Sequence, residues 1–240
     1  MASKGIFITG TDTGVGKTVA AAALARLLRL RGVDVGVMKP VTSGCSVRGG
    51  ALVSDDAELL AWAAGMNDVT PDNAPYLLSA PLAPSEAASR DNVRIDFSRI
   101  KESFQTLTEH HDFVIVEGAG GLMVPLIGGL LVADLITALE LPALVVTRPN
   151  LGTINHTLLT TFAARQMGIA VAGIIINNYP EKPDETEEYA PHLLGSLASA
   201  PILGIFKRIE AGDPRSLVER LTAEIDRHPL TPFLLKELMA

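Results

Sequence analysis

GIFITGTDTGVGKTVAAAALARLLRLR, residues 5–31, decides the fold. Gly5 to Thr9 is a short apolar run of the kind that forms a buried strand. Lys17 to Arg31 is rich in Ala and Leu, carries basic residues near its C-terminal end as a helix dipole favours, and stops at Gly32. Between strand and helix stands Gly10-Thr11-Asp12-Thr13-Gly14-Val15-Gly16-Lys17-Thr18. Strand, glycine-bearing loop, Gly-Lys-Thr and helix together form a phosphate loop. Its glycines let successive backbone N–H groups turn inward toward phosphate oxygens, and the helix N-terminus adds a positive dipole end. Lys17 supplies a point charge to the terminal phosphates, and the Thr18 hydroxyl suits Mg²⁺. The loop is a variant, with five residues between Gly10 and Gly16 where the common spacing has four.

Outward from this stretch the pattern repeats as apolar strand, loop and amphipathic helix. Val33 to Met38, Asp112 to Val116, Ala143 to Thr147, Val171 to Ile176 and Ile202 to Ile205 read as strands. Helices are expected over Asp55 to Ala64, Asp96 to His110, Thr153 to Gln166, Asp184 to Ala198, Ser216 to Arg227 and Pro232 to Met239. Gly44 to Gly50 reads as a mobile loop. Thr70 to Ala83, with prolines at 71, 75 and 81, fits neither a regular helix nor a central strand. The alternation predicts a single α/β domain over residues 1–240, a mostly parallel sheet flanked by helices, of the P-loop NTPase kind.

Bulk properties agree. The chain has 240 residues, 48% hydrophobic and 20% charged, with 5% aromatic, so Ala, Val, Ile and Leu must build the core. A formal net charge of −7 disfavours general nucleic-acid binding. One cysteine, Cys45, excludes an internal disulfide and fits a reducing cytoplasm. Met1 to Gly10 runs into a strand with no apolar targeting segment, and no run approaches the ~18 apolar residues of a membrane span.

In open parallel sheets, ligands sit at the C-terminal strand ends. That rule gathers the unusual runs: the phosphate loop, Lys39 to Gly44, Glu117 to Gly121, Arg148 to Asn155 and Asn177-Asn178. Glu117 follows an apolar strand, where P-loop enzymes place a second acid near the metal. Lys39 is open between a solvated charge and a contact to the transferred phosphoryl group. In Ser54-Asp55-Asp56 the residues alone favour a helix N-cap for Asp56. The Asn177 amide can match an adenine edge or simply serve loop structure. Cys45, His110, His111 and His156 are assigned no chemistry.

These runs resemble the dethiobiotin synthetase family: GTDTGVGKT (10–18), KPVTSG (39–44), SDDAELL (54–60), EGAGGLMVP (117–125) and LGTINHTLLT (151–160). The resemblance implies an enzyme using ATP and Mg²⁺ to join CO₂ to 7,8-diaminononanoate, through a carbamate and a carbamic-phosphoric anhydride. It implies Lys17, Lys39 and Ser43 as catalytic and Thr18, Asp56 and Glu117 as metal ligands, reversing the cap reading of Asp56. It implies Thr13, Gly14, Val15, Gly16, Lys17, Thr18, Val19 and Asn177 around the nucleotide. For the substrate it implies Thr13, Lys39, Ser43, Glu117, Gly120 and Gly121, with Gly152, Thr153, Ile154 and Asn155 at the distal carboxylate. A homodimer is implied, with active sites at the interface and Tyr189 contributed by the partner subunit. Departures from the family pattern are Gly14 for an acidic residue, Ser85 for a histidine, and Lys207 in a run where proline is common. The alternatives are another P-loop ligase or amidotransferase-like synthetase, and a partitioning-type ATPase switch. The latter typically carries an extra lysine early in the loop, where Thr11-Asp12-Thr13 stands here.

Overall fold

The computed structural model describes residues 4–239, so Met1 to Ser3 of the N-terminal stretch and Ala240 lie outside it. In chain order, β1 (Gly5–Gly10) leads through the phosphate loop to α1 (Lys17–Leu30), and β2 (Val35–Met38) follows. Short strands β3 (Val41–Thr42), β4 (Ser46–Arg48) and β5 (Ala51–Val53) precede α2 (Asp55–Ala64). Then come β6 (Tyr76–Leu77), α3 (Pro84–Arg90), α4 (Phe97–His110) and the long β7 (Phe113–Gly121). β8 (Pro125–Ile127), β9 (Leu130–Leu131) and α5 (Val132–Leu139) lead to β10 (Ala143–Thr147) and α6 (Thr153–Gln166). β11 (Val171–Tyr179), α7 (Glu185–Leu197), β12 (Ile202–Lys207), α8 (Pro214–Arg227) and α9 (Thr231–Leu238) complete the order.

The central sheet has the order β12-β11-β10-β1-β7-β2, with every pair parallel. Period-two alternation splits each strand between two faces. Ile6, Ile8, Ile115 and Val146 pack with α1, α2, α8 and α9, whereas Phe7, Val114 and Val116 pack with α3, α4 and α5. Val145, Ile174 and Ile176 meet α6 and α7. In α1, Ala20 through Ala25, Leu27 and Leu28 are all fully buried. Burying Leu24, Leu27 and Leu28 is worth about 1.5–3 kcal/mol each, which anchors the helix that carries Lys17 and Thr18.

Several expectations are corrected. Residues 44–50 are not a mobile loop: β4 and β5 pair antiparallel across Gly49 and Gly50, at φ 61° and 83°. Two consecutive positive-φ glycines make the tight turn whose twist matches a hairpin, and Gly-Gly is a known signal for it. Cys45 is buried, its backbone N–H bonded to the Leu78 carbonyl at 2.9 Å. Strand β7 continues through Glu117 to Gly121 instead of ending before them, and β11 runs through Asn177 and Asn178. Close approach permits the former, since a Cβ at Gly118 would meet the Phe7 ring at 2.7 Å. Asp56 is not the cap of α2: the Ser54 hydroxyl accepts from the Ala57 N–H at 3.1 Å. That leaves the Asp56 carboxylate free for other work. Among the described residues, no helix is long and apolar enough to cross a membrane.

Candidate active site

The phosphate loop stands at the carboxyl end of β1, where β10 and β7 flank it. Thr11 N–H bonds the Val146 carbonyl at 3.0 Å. The chain reverses through Gly14 and Gly16, at φ 73° and 88°, a left-handed conformation that glycine adopts without steric penalty. The Asp12 carboxylate accepts from Thr13 N–H at 2.6 Å, and Lys17 Nζ folds back to donate to the Asp12 carbonyl at 3.2 Å. Asn177, buried on β11, donates its Nδ2 to the Val15 carbonyl at 3.0 Å and so braces the loop from the side.

Beside the loop lies a cluster of opposite charges. Lys39, one residue past β2, donates from Nζ to Glu117 Oε1 at 2.6 Å and to Asp56 Oδ2 at 2.8 Å. Thr18 Oγ1 donates to the same Glu117 oxygen at 2.8 Å. Lys39 and Glu117 are 5% and 1% exposed, so their attraction is little screened. Burial works against the Lys39 charge, but Glu117 and Asp56 outweigh it and raise its pKa. Burial also opposes ionisation of Asp56, yet Lys39 holds its carboxyl below the usual range. Glu117 is pushed up by its complete burial, against the pull of Lys39. Burial brings Lys17 down to about 8, with Glu117 opposing and Lys39 adding to the effect. A polyanion arriving beside Lys17 would restore what desolvation removes.

These groups line a cavity of about 480 Å³. Thr13, Gly14, Gly16, Lys17, Thr18 and Val19 of the loop and α1 line it together with Lys39, Ser43, Asp56, Glu117 and Gly120. Val15 and Asn177, bonded to each other, are outside the lining; Gly121 packs on Gly10, where an added Cβ would lie 3.1 Å from its carbonyl oxygen. Gly152, Thr153, Ile154 and Asn155 are elsewhere, at the start of α6 beyond the other side of the loop. There Thr11, Asp12, Arg148 and Thr153 border a separate cavity of about 230 Å³. Tyr189 is on α7, 63% exposed and outside both linings. Of the departures, Gly14 faces open space, and Lys207 pairs with Glu224 at 2.6 Å. Thr42, Leu59 and Pro214 also line the main cavity and were not singled out in the sequence. Pro214 begins α8, 196 positions from Thr18, and carries no local mark of a site.

Divalent metal would find hard oxygen donors here, from the Thr18 hydroxyl and the Asp56 and Glu117 carboxylates. Glu117 Oε2 is buried without a hydrogen-bond partner, which fits a cation arriving to complete it. Among the described residues no group of three or more His, Cys, Asp or Glu is arranged to hold a metal.

A parallel sheet with a glycine loop cradling Lys17, faced by a second lysine and two acids, defines a P-loop nucleotide-dependent enzyme. Solved structures agree on the fold: a ParA family ATPase from Chlorobium tepidum superposes with a TM-score of 0.58 at 14% identity, covering 100% of this chain and 98% of that one. MinD from Pyrococcus horikoshii, complexed with Mg-ADP, gives 0.56 at 18%, covering 98% and 94%. A family profile described as an AAA domain matches residues 4–216. The particular family comes from sequence relatives. An ATP-dependent dethiobiotin synthetase of Bacillus licheniformis is 41% identical, covering 93% of this chain and 94% of its own. Those of Thermodesulfovibrio yellowstonii and Methanococcus vannielii are 44% and 46% identical, covering 84% and 72% of this chain and 87% and 78% of theirs. The chain belongs to the ATP-dependent dethiobiotin synthetase family.

Proposed function

We propose that this chain is a dethiobiotin synthetase, joining CO₂ to 7,8-diaminononanoate at the expense of ATP and releasing dethiobiotin, ADP and phosphate. The observation that carries the reading is Lys39 at hydrogen-bond distance from Asp56 and Glu117 beside Lys17 and the phosphate loop. A carbamate and a γ-phosphate are both anions, so bringing them together needs fixed positive charge. Backbone amides of residues 13–18 hold the phosphates, Lys17 lies along them, and Lys39 stands beside Thr18 on the Glu117 oxygen that both bond. Ser43 and Thr13 offer hydroxyls to the carbamate and phosphate, and the glycines at 120 and 121 leave the backbone open to substrate. Mg²⁺, bound by Thr18, Asp56 and Glu117, would neutralise phosphate charge. The substrate's second amine then closes the cyclic urea as phosphate leaves. Asn177 would serve the nucleobase while bracing the loop. The α6 start, Gly152 to Asn155, would receive the distal carboxylate at the positive end of the helix, where Thr153 N–H already donates to the Asn150 carbonyl at 3.0 Å.

The same reading makes the protein a single-domain cytoplasmic homodimer. Support comes from apolar side chains exposed on neighbouring helices: Leu159 and Phe162 on α6, and Tyr189, Leu193 and Leu197 on α7. The α7 residues recur every four positions and so form one stripe, a surface that a second copy would cover. Tyr189 lies on it, where a partner subunit could use it.

The partitioning-switch alternative shares the fold but at 20% identity or less, whereas the synthetases reach 46%. The deciding assay is ADP release with and without diaminononanoate and bicarbonate. Release that requires both supports the synthetase; release indifferent to the diamine favours the switch. Glu117→Gln keeps the side-chain shape but removes a charge from the metal donors. It is expected to raise the Mg²⁺ concentration for half-maximal rate by about tenfold or more, within the range of altered metal sites. An unchanged Mg²⁺ titration would take Glu117 out of the donor set.

A further inference from the structure

Thr147 closes β10, and its hydroxyl is the meeting point of three others. Thr11 Oγ1 lies 3.1 Å away, Thr153 Oγ1 2.8 Å, and Thr157 Oγ1 donates to it at 3.0 Å. A hydroxyl has one hydrogen and two lone pairs, so these three bonds use its full capacity. Thr147, Thr153 and Thr157 are 1%, 6% and 0% exposed, so their hydroxyls are largely shielded from solvent. The partners belong to two different functional pieces. Thr11 is in the phosphate loop; Thr153 and Thr157 are one turn apart on the same face of α6. The α6 N-cap is Gly152 at φ 94°, with no side-chain capping bond, so its first turn is not fastened in the usual way.

We infer that Thr147 is a positioning residue that fastens the first turn of α6 to the phosphate loop, so that nucleotide binding and the setting of the α6 N-terminus are coupled. For catalysis this rests on the synthetase reading, in which that turn receives the distal carboxylate. The consequence is reciprocal: what orders the loop also orders the turn, and the converse. Thr147→Val preserves shape and burial but removes the hydroxyl; Thr147→Ser keeps it.

Hydrogen–deuterium exchange of the full-length protein, followed over residues 152–160 with and without ADP, reads the coupling directly. In wild type and Thr147→Ser, ADP is expected to slow exchange in that segment. In Thr147→Val the segment exchanges about tenfold faster and ADP no longer slows it, while the core of α1 keeps its protection; tenfold corresponds to the loss of one or two neutral hydrogen bonds. Steady-state kinetics should show a diamine KM raised about tenfold, and ADP should lose whatever gain in affinity the diamine gives it in wild type, as reciprocity requires. The inference is overturned if Thr147→Val exchanges like wild type, if its exchange rises equally in α1, or if Thr147→Ser behaves like Thr147→Val. Wild type without diamine-dependent ADP release would overturn the synthetase reading instead, and the exchange result would still decide whether Thr147 couples the two pieces.

Discussion

Lys39→Ala is expected to lower kcat by about a hundred- to a thousandfold, the usual effect of removing one group that meets developing negative charge. Nucleotide affinity should change far less. The phosphates have Lys17 and a row of loop amides, whereas Lys39 comes from the end of β2, outside the loop, and is held between Asp56 and Glu117. Its charge is therefore placed for the attacking carbamate and the phosphoryl in flight, a state that ground-state ATP does not present. The same substitution should destabilise the fold. Glu117 is 1% exposed, and breaking a buried pair by deleting one partner costs about 3–5 kcal/mol. A fall in kcat could then reflect partial unfolding, and a second variant separates the two causes. Lys39→Ala combined with Glu117→Gln removes both charges, so the Tm should recover much of its loss while kcat, at saturating Mg²⁺, stays well below that of Glu117→Gln alone. Near-wild-type turnover in folded Lys39→Ala would remove this lysine from the mechanism and, with it, the strongest support for the synthetase reading.

The same pair shows what the sequence could and could not disclose. Lys39 was an open question because a lysine after a strand is usually solvated; only the parallel neighbours β2 and β7, 78 positions apart, bring it to Glu117. Asp56 was masked by a local rule, since Ser54, Asp55 and Asp56 all suit a helix start and only geometry shows that Ser54 does the capping. The phosphate loop, by contrast, was legible because its signal is local: the glycines, the lysine and the flanking strand and helix stand within residues 5–31. The alternation of strands and helices fixed the fold class for the same reason. Helices α3 and α5 are not read from the sequence: α3 is seven residues with few apolar positions, and the period of α5 (Val132, Leu135, Ile136, Leu139) is hidden in a longer apolar stretch after Leu122. Pro214 and the Thr147 hub were invisible in principle, because each is defined by neighbours distant along the chain.

Gly16→Ala is expected to weaken nucleotide binding by about a hundredfold or more, and Gly14→Ala by only about tenfold, although both glycines sit at positive φ. For either, an alanine forced into the left-handed region costs about 1–2 kcal/mol, which is roughly the smaller effect. The difference lies in what surrounds them. A Cβ on Gly14 meets no heavy atom within 4 Å, whereas one on Gly16 would lie 2.1 Å from Asn177 Nδ2. That nitrogen holds the Val15 carbonyl at 3.0 Å, and Asn177 is buried on β11 with little room to retreat. Either the loop must open or its brace must break, and both disturb the amides that face the phosphates. Shortening the brace tests the cause: Asn177→Ala should weaken binding modestly alone, yet restore part of the affinity lost in Gly16→Ala, giving strong non-additivity for a pair in contact. Titration of ADP against the four variants measures this. Equal losses in Gly14→Ala and Gly16→Ala, or strict additivity of Gly16→Ala with Asn177→Ala, would mean that backbone conformation alone sets the requirement and that Asn177 is not the brace of the loop.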